Sequence, residues 1–250
     1  MKTRFVCLTA LKHNMAIKNL WIIMPVYNEE EAIEFVVNEW TTALDALPLT
    51  YTLCILNDGS KDSTLQKLQQ LATQHPRIHI IDKPNSGHGQ TCIYGYQYAL
   101  NQGADWIFQI DSDGQCDPKF FPAFIPATEH NACIYGVRTR RDDGLQRTIV
   151  SHFVTVFTLV ATGQWLRDPN VPYRLIRADV MKTLVNKIPA DFHLANIYVT
   201  VLSNKASKIK WLPIHFRDRM GGSASVKTFS FVKHGFKLFK QLRAAQRGVV

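Results

Sequence analysis

The chain has 250 residues, 46% of them hydrophobic, and a formal net charge of +9. This length and composition suffice for one large or two small globular domains with a buried core, and they exclude a disordered chain. The five cysteines are odd in number, widely spaced and without a CxxC pair, which argues against a disulfide framework and against a zinc site. We therefore expect a globular protein of a reducing, cytoplasmic compartment.

Residues 1–19 are interpreted as a leader that precedes the folded domain. They contain a short apolar patch at residues 5–11, but no small-residue cleavage site follows it. Met15 is an alternative first residue of the protein. No stretch of the sequence reaches the roughly 18 apolar residues that a membrane span requires.

Strands and helices are predicted to alternate through the first half of the chain. Apolar runs at residues 20–24, 51–56, 77–81 and 106–110 have the pattern of buried strands. Helices are expected between them, ending near residues 47, 74 and 102. Such alternation indicates a parallel sheet with right-handed crossovers, and ligands of such a sheet bind at the carboxyl ends of its strands.

Polar residues follow each predicted strand, at the edge of the sheet where ligands bind. Asn28 is expected to cap the first helix there. Each residue has an ordinary explanation on its own, since Asp58-Gly59 is a common turn and Lys83 is a usual surface lysine. The segment Gly87-x-Gly89 lacks the third glycine of a dinucleotide fingerprint, which disfavours a nicotinamide-dependent dehydrogenase. The topology nevertheless gathers these residues on one rim: Tyr27, Asn28, Glu29, Asp58, Lys83, Asp111 and Asp113.

The fourth strand ends in two carboxylates one residue apart, Asp111 and Asp113, followed by Gly114 and Gln115. Carboxylates this close repel each other unless a divalent cation lies between them and a polyanion, as Mg²⁺ or Mn²⁺ does with a diphosphate. The alternative is an ordinary Asp-Ser-Asp-Gly turn that caps a helix beginning at Pro118. The residues alone leave both interpretations open.

Three ordered motifs resemble the signatures of family 2 glycosyltransferases with the GT-A fold. They are IMPVYNEE at residues 23–30, LNDGSKDST at residues 56–64 and DSDGQ at residues 111–115. The branch to which they are most similar is the dolichol-phosphate mannosyltransferase and polyprenyl-phosphate glycosyltransferase group. The resemblance implies a Rossmann-like α/β fold, with a mostly parallel central sheet flanked by helices. It covers about residues 20–225, so we expect a leader at 1–19, a GT-A domain at 20–225 and a basic amphipathic C-terminal helix at 226–250.

The resemblance also implies roles for the residues of the rim. The nucleoside pocket would be lined by Pro25, Tyr27, Asn28 and Glu29, with Asp58 against the base or the ribose. Lys83, Gly87 and Ser112 are assigned to the same nucleotide-sugar site. The ligands of the Mg²⁺ or Mn²⁺ ion would be Asp111, Asp113 and Gln115.

A second group of residues is assigned to the acceptor. Arg147 and Ser151 stand four apart and so share one helix face, and the resemblance implies that such a pair holds the acceptor phosphate. Arg138, in a basic cluster after a predicted strand at 132–136, is assigned to the same site. The apolar segment 149–166 either lies along a membrane surface or is a core helix.

Two later segments bear on the resemblance. At residues 172–174 the chain has Pro-Tyr-Arg where the family usually has a Gly-Phe-Arg-type turn, and this departure leaves the acceptor pocket undefined. After a predicted strand at 211–216, the chain resembles the family's Arg-x-x-Gly-x-Ser loop, which closes over the diphosphate. Arg217, Arg219 and Ser223 would then complete an anion clamp.

The positive charge is concentrated at the end of the chain. Residues 205–250 contain eleven Lys or Arg and one acid, whereas the first 204 residues have a net charge of −1. From Phe231 apolar residues recur every three or four positions with bases on the other side, a pattern typical of a helix that rests on anionic lipid. The alternative is a helix docked on the domain with a solvated basic face. Nucleic-acid binding is not expected, because the body carries no basic surplus.

By this resemblance we expect an inverting glycosyltransferase, peripheral at the inner face of the membrane, that moves a sugar from a UDP- or GDP-sugar to undecaprenyl or dolichyl phosphate. Asp113, Arg217 and Arg219 would lie at the reacting centre. A phosphate acceptor needs no general base, whereas a hydroxyl acceptor does. An alternative is therefore transfer to a saccharide hydroxyl of lipopolysaccharide or capsule, with Asp191 as the base. An alternative of another class is a non-catalytic membrane- or nucleic-acid-binding protein on a degenerate nucleotide fold.

Overall fold

The computed structural model describes residues 17–141, 145–188, 195–220 and 239–244. Its strands are β1 (Leu20–Val26), β2 (Tyr51–Asp58), β3 (Ile78–Lys83), β4 (Trp106–Gln109), β5 (Cys133–Arg141), β6 (Arg174–Arg177) and β7 (Lys210–Phe216). Its helices are α1 (Ile33–Asp45), α2 (Thr64–Gln74), α3 (His88–Asn101), α4 (Phe124–Ala127), α5 (Leu145–Thr162), α6 (Ala178–Val185) and α7 (Ala195–Ala206). A 3₁₀ helix spans Pro118–Ala123.

The strands form one sheet in the order β3-β2-β1-β4-β6-β5-β7. β1 is parallel to β2 and β4, and β2 is parallel to β3. β6 is antiparallel to both of its neighbours, while β5 and β7 are parallel to each other. Six strands therefore end at the same edge, here called the carboxyl edge, and the prediction of a mostly parallel sheet is confirmed.

The central strands are buried because helices cover both faces of the sheet. Every residue of β1 and of β4 is buried, as their continuous apolar sequences predict. On one side Trp40 of α1 packs against Phe108 of β4, with ring centroids 5.7 Å apart. On the other side α3 approaches closely, since a Cβ atom on Gly95 would lie 2.6 Å from Ile23. The core thus fixes the strands whose ends carry the polar rim.

One local prediction was wrong and one strand was missed, each for a physical reason. Asn28 does not cap α1, which begins at Ile33: Asn28 has a φ of 51°, and its carboxamide oxygen accepts from the Lys61 amide at 2.8 Å. Strand β6 (Arg174–Arg177) was not predicted; it begins at the last residue of the Pro-Tyr-Arg segment that stands at the family's turn. Its strand character comes from antiparallel pairing with β4 and β5, which are distant in the sequence.

The predicted domain limits lie partly outside the described residues. These include residues 1–16 of the leader and all of the C-terminal segment except 239–244, which are helical. In that short helix Leu242 is buried, and Phe239 packs on Phe157 of α5 with ring centroids 5.9 Å apart. Within the described part of the chain, no helix is both long and apolar enough to span a bilayer.

Candidate active site

Hydrogen bonds join the loops that follow β1 and β2. The Asn28 amide donates to the Ser60 hydroxyl at 3.0 Å, and the Glu29 amide donates to the Thr64 hydroxyl at 2.9 Å. Pro25 is buried within β1, and Tyr27 just beyond it has 36% of its surface exposed. Two of the motifs recognised in the sequence are therefore one connected structure, which leaves the Tyr27 ring at the surface of the rim.

Asp58 organises the loop between β3 and α3. Its buried carboxylate accepts from the amides of Ser86 at 2.8 Å and Gly87 at 2.9 Å, and from Lys83 Nζ at 2.5 Å. Burial opposes ionisation of Asp58, but the bonds from Lys83 and Ser86 prevail and hold its pKa below the usual value. Gly59 follows with a φ of 68°, and a side chain there would meet the backbone of Asn85 at 2.9 Å. The loop can fold over Asp58 only with glycine at that position.

Lys83, which we assigned to the nucleotide-sugar site, is engaged within the same loop. Besides Asp58, its ammonium group donates to the carbonyl of Pro84 at 2.9 Å and to the hydroxyls of Ser86 at 2.6 Å and Thr91 at 3.2 Å. Only 13% of its side chain is exposed. Lys83 therefore shapes the loop that delivers Gly87 to the rim.

Asp111 lies just beyond β4 with one carboxylate oxygen buried. That atom, Oδ1, is 3.8 Å from His88 Nε2 and accepts no hydrogen bond from any residue that the structure describes. Burial raises the pKa of Asp111 to about 6, the charge of His88 opposes this shift and that of Asp113 adds to it. Because His88 follows Gly87 in the chain, the loop held by Asp58 reaches the acids after β4.

Arg219 lies between two acids, Glu29 and Asp113. Its guanidinium donates to Glu29 Oε1, and its Nη1 is 3.6 Å from Asp113 Oδ2. The Met220 amide also donates to the Asp113 carbonyl, at 3.0 Å. Burial raises the pKa of Glu29 to about 7, although Arg219 opposes the shift. The loop after β7 therefore reaches the rim.

Arg217 has other partners, although we assigned it to the same anion clamp as Arg219. Its guanidinium binds Glu39 of α1 through two bonds of 2.6 and 2.7 Å, and its Nε donates to the Gly114 carbonyl at 3.1 Å. The Gln115 side chain, assigned to the metal, donates to the Arg217 carbonyl at 3.1 Å. Through the bonds to Gly114 and Gln115, Arg217 holds the turn after β4 in place. Glu39 was missed, because nothing in its helical surroundings distinguishes it from other surface glutamates.

The residues assigned to the acceptor are only partly described. Arg138 forms a nearly buried ion pair with Asp168 through two bonds of 2.6 Å. Ser151 is half-buried on α5, and Arg147 lies on the same helix but its side chain is outside the described part. Asp191 and Ser223 also lie outside the described residues. The assignment of Arg147 and Ser151 to the acceptor phosphate therefore stays a prediction.

Behind the rim lies a buried polar network that the sequence did not predict. Arg174, at the start of β6, is fully buried and donates to the Val171 carbonyl at 3.0 Å and to the Asn196 carbonyl at 2.9 Å. Its guanidinium carbon lies 5.2 Å from the centre of the Tyr135 ring. The Gln109 amide donates to Asn196 Oδ1 at 3.2 Å. These bonds tie β4 and β6 to α7 beneath the two acids.

The acids of the rim are suited to a divalent cation that is shared with a diphosphate. Two buried carboxylate oxygens, Glu29 Oε2 and Asp111 Oδ1, have no hydrogen-bond partner among the described residues. Carboxylate oxygens are the ligands that Mg²⁺ and Mn²⁺ prefer. No three His, Cys, Asp or Glu side chains in the described ranges are grouped so as to enclose an ion. One or two carboxylates plus phosphate oxygens are the usual ligands of Mg²⁺ at phosphate sites.

A family model and curated relatives match this chain. A family model described as glycosyl transferase family 2 matches residues 21–189. The undecaprenyl-phosphate 4-deoxy-4-formamido-L-arabinose transferase of Salmonella choleraesuis (strain SC-B67) is 26% identical over 222 residues, which cover 87% of this chain and 64% of the relative. The chain thus spans slightly less than two thirds of the length of that relative.

Two solved structures have the same fold at low sequence identity. Glucosyl-3-phosphoglycerate synthase from Mycobacterium tuberculosis, in complex with Mn²⁺ and UDP-glucose, aligns with a TM-score of 0.64 and 15% identity over 91% of this chain and 79% of its own. Mannosyl-3-phosphoglycerate synthase from Rubrobacter xylanophilus aligns with a TM-score of 0.63 and 13% identity over 94% of this chain and 76% of its own. These likenesses confirm the predicted GT-A fold.

Proposed function

We propose that this chain, which belongs to glycosyl transferase family 2, moves a sugar from a nucleoside-diphosphate sugar to a polyprenyl phosphate. The observation that carries the proposal is the meeting of acids and one arginine at the carboxyl edge. Asp58 holds the loop that brings His88 to Asp111, and Arg219 links Asp113 to Glu29. Ligands of open α/β sheets bind at such an edge.

The donor would bind across the loops that follow β1, β2 and β4. Tyr27, Asn28 and Glu29 would face the nucleoside, while Asp111 and Asp113 would hold Mg²⁺ or Mn²⁺ against the diphosphate. When bound, the cation neutralises negative charge on the departing nucleoside diphosphate. Arg219 already reaches Asp113, so its guanidinium would lie beside that diphosphate and stabilise the charge that develops on it.

The acceptor would be the phosphate of a polyprenyl lipid. Such a phosphate is anionic near neutral pH and attacks the sugar without a general base, so inversion at the sugar carbon needs only positioning. The naming of the Salmonella relative as an undecaprenyl-phosphate transferase supports this acceptor. Arg147 and Ser151 of α5 would hold the phosphate, whereas Arg138 is already paired with Asp168.

The reaction would take place at the inner face of the membrane, with the chain bound peripherally. The bases of the C-terminal segment support this location, since Lys240 and Arg243 are exposed on its described part. No nucleic-acid partner is proposed. Mg²⁺ and Mn²⁺ both suit carboxylate ligands. The sugar and the base of the donor are identified by screening nucleoside-diphosphate sugars.

The test supplies the purified chain with UDP-glucose, UDP-GlcNAc or GDP-mannose, a divalent cation and undecaprenyl or dolichyl phosphate in detergent. We expect labelled lipid with at least one donor, and none with Asp113→Asn. Asp179→Asn, which removes an exposed carboxylate beside Arg177 on α6, serves as the matched control and should stay active. In a parallel reaction that supplies a saccharide acceptor in place of the lipid, labelling that Asp191→Asn abolishes would establish the alternative acceptor.

A further inference from the structure

Helix α5 turns its threonines towards the core. Thr155, Thr158 and Thr162 are buried together with Val154 and Ala161. The three hydroxyls donate to the carbonyls four residues earlier, at 3.1, 2.7 and 2.7 Å. Because these bonds lie within the helix, the hydroxyls are satisfied without a partner from another element. The helix can therefore bury its polar side chains at little cost.

The opposite side of α5 exposes large apolar side chains. Phe153, Val156 and Val160 stand at i, i+3 and i+7, and 63%, 53% and 66% of their surfaces are exposed. Trp165, three residues after the helix ends, is 66% exposed as well. A helix at a protein–water surface normally shows the reverse arrangement, with apolar residues inward and polar residues outward. A contiguous apolar stripe of this kind marks an interaction surface.

Cations lie beside this stripe. The helical segment 239–244 contacts α5 through Phe239, whose ring packs on Phe157 of α5. The same segment exposes Lys240 and Arg243, and the Arg243 guanidinium carbon lies 5.5 Å from the centre of the Phe239 ring. We call Phe153, Val156, Val160, Trp165, Lys240 and Arg243 together the α5 face.

We propose that the α5 face is the surface by which the protein docks on an anionic lipid bilayer. The stripe would enter the boundary between headgroups and acyl chains, Trp165 would lie at the headgroup level, and the two cations would meet anionic headgroups. A second copy of this chain is a poorer occupant, because a symmetric contact would bring identical cations together. The inference rests on the proposed function and adds to it the side of the domain that faces the membrane.

The test measures binding of the full chain to sedimented vesicles without any donor sugar. We expect binding to phosphatidylcholine vesicles that contain phosphatidylglycerol and much weaker binding to phosphatidylcholine alone. The double variant Phe153→Ser/Val160→Ser should lose about tenfold in partitioning, since two exposed apolar side chains would no longer enter the bilayer. Lys240→Gln/Arg243→Gln should lose about tenfold as well, only with the anionic vesicles. Phe35→Ser on α1, which removes a 51% exposed phenylalanine elsewhere, is the matched control.

Three results would overturn the inference. They are the absence of vesicle binding, an equal loss with Phe35→Ser, and a dimer of the free chain that the double variant dissolves. Far-UV circular dichroism establishes that each variant is folded. The proposed function can be disproved separately. If the chain binds vesicles but labels no polyprenyl phosphate in detergent, the proposed reaction is wrong and the docking surface is not. If the chain labels the lipid in detergent but does not bind vesicles, only the proposed docking surface is wrong.

Discussion

Arg217 and Glu39 are joined by two hydrogen bonds of 2.6 and 2.7 Å that tie the loop after β7 to helix α1. The same guanidinium also donates to the Gly114 carbonyl, inside the turn that carries Asp111 and Asp113. The two residues therefore position the acidic turn without belonging to the rim themselves.

Removing the charge of Glu39 should loosen this brace and lower activity. Glu39→Gln keeps the side-chain shape but loses the charge-assisted pair, whose partners are about one quarter exposed, so we expect a loss of about 1 kcal/mol in stability. Turnover should fall about tenfold, because a small misplacement of reacting groups is costly. Steady-state kinetics and urea unfolding measure the two effects. Glu34→Gln on the same helix, beside Lys67 at 3.5 Å, is the control, and an equal loss of turnover there would contradict the positioning role.

Arg219 is expected to act directly on the leaving diphosphate. Arg219→Ala should lower kcat about 10²- to 10³-fold at saturating donor, the usual cost of removing one donor that stabilises developing charge. Arg219→Lys should recover part of this rate, since it restores the charge without the planar fork. Rapid-quench measurement of the transfer step distinguishes this effect from slow product release. Unchanged chemistry in Arg219→Ala would remove Arg219 from the proposed mechanism.

The ion pair of Asp58 and Lys83 is expected to stabilise the fold at neutral pH. Asp58→Asn would leave Lys83 nearly buried without its counter-charge, at a cost of about 3 kcal/mol. Because the pKa of Asp58 is lowered in the folded state, its contribution is complete above the unfolded value of about 3.9 and is lost as pH falls through the folded value. Urea unfolding of both proteins at pH 7 and near pH 3 measures the difference. A gap that persists unchanged at low pH would contradict the electrostatic origin.

The acceptor assignment of α5 can be tested through KM. We expect Arg147→Ala to raise KM for the polyprenyl phosphate about tenfold and to leave KM for the donor unchanged, because a lost charged hydrogen bond weakens only the ligand it contacts. Arg167→Ala, an exposed arginine beyond the end of α5, is the control. Equal changes in both KM values would indicate that Arg147 stabilises the structure and does not bind the acceptor.

The sequence predicted those parts of the fold that local pattern determines. β1 and β4 are continuous apolar runs that end in polar turns, so their positions and the location of Asp111 and Asp113 followed directly. β6 was missed because four residues carry too short a pattern and its ladder is made with β4 and β5.

Side-chain partners were predictable only where they lie in the same motif. Arg217 and Glu39 are 178 positions apart, and only the folded sheet makes them neighbours. For the same reason the sequence assigned Arg217 and Arg219 one role, although in the folded chain Arg217 pairs with Glu39 and Arg219 with Glu29.

Arg219 lies between Glu29 and Asp113, and this position affects how the protein would bind a divalent cation. Because the Arg219 guanidinium compensates the charge of these acids, the chain should fold and stay folded when a chelator removes divalent cations. A divalent cation bound by Asp113 would take over part of the charge compensation that Arg219 provides to this carboxylate. Occupancy of the metal and the position of the loop after β7 would therefore change together.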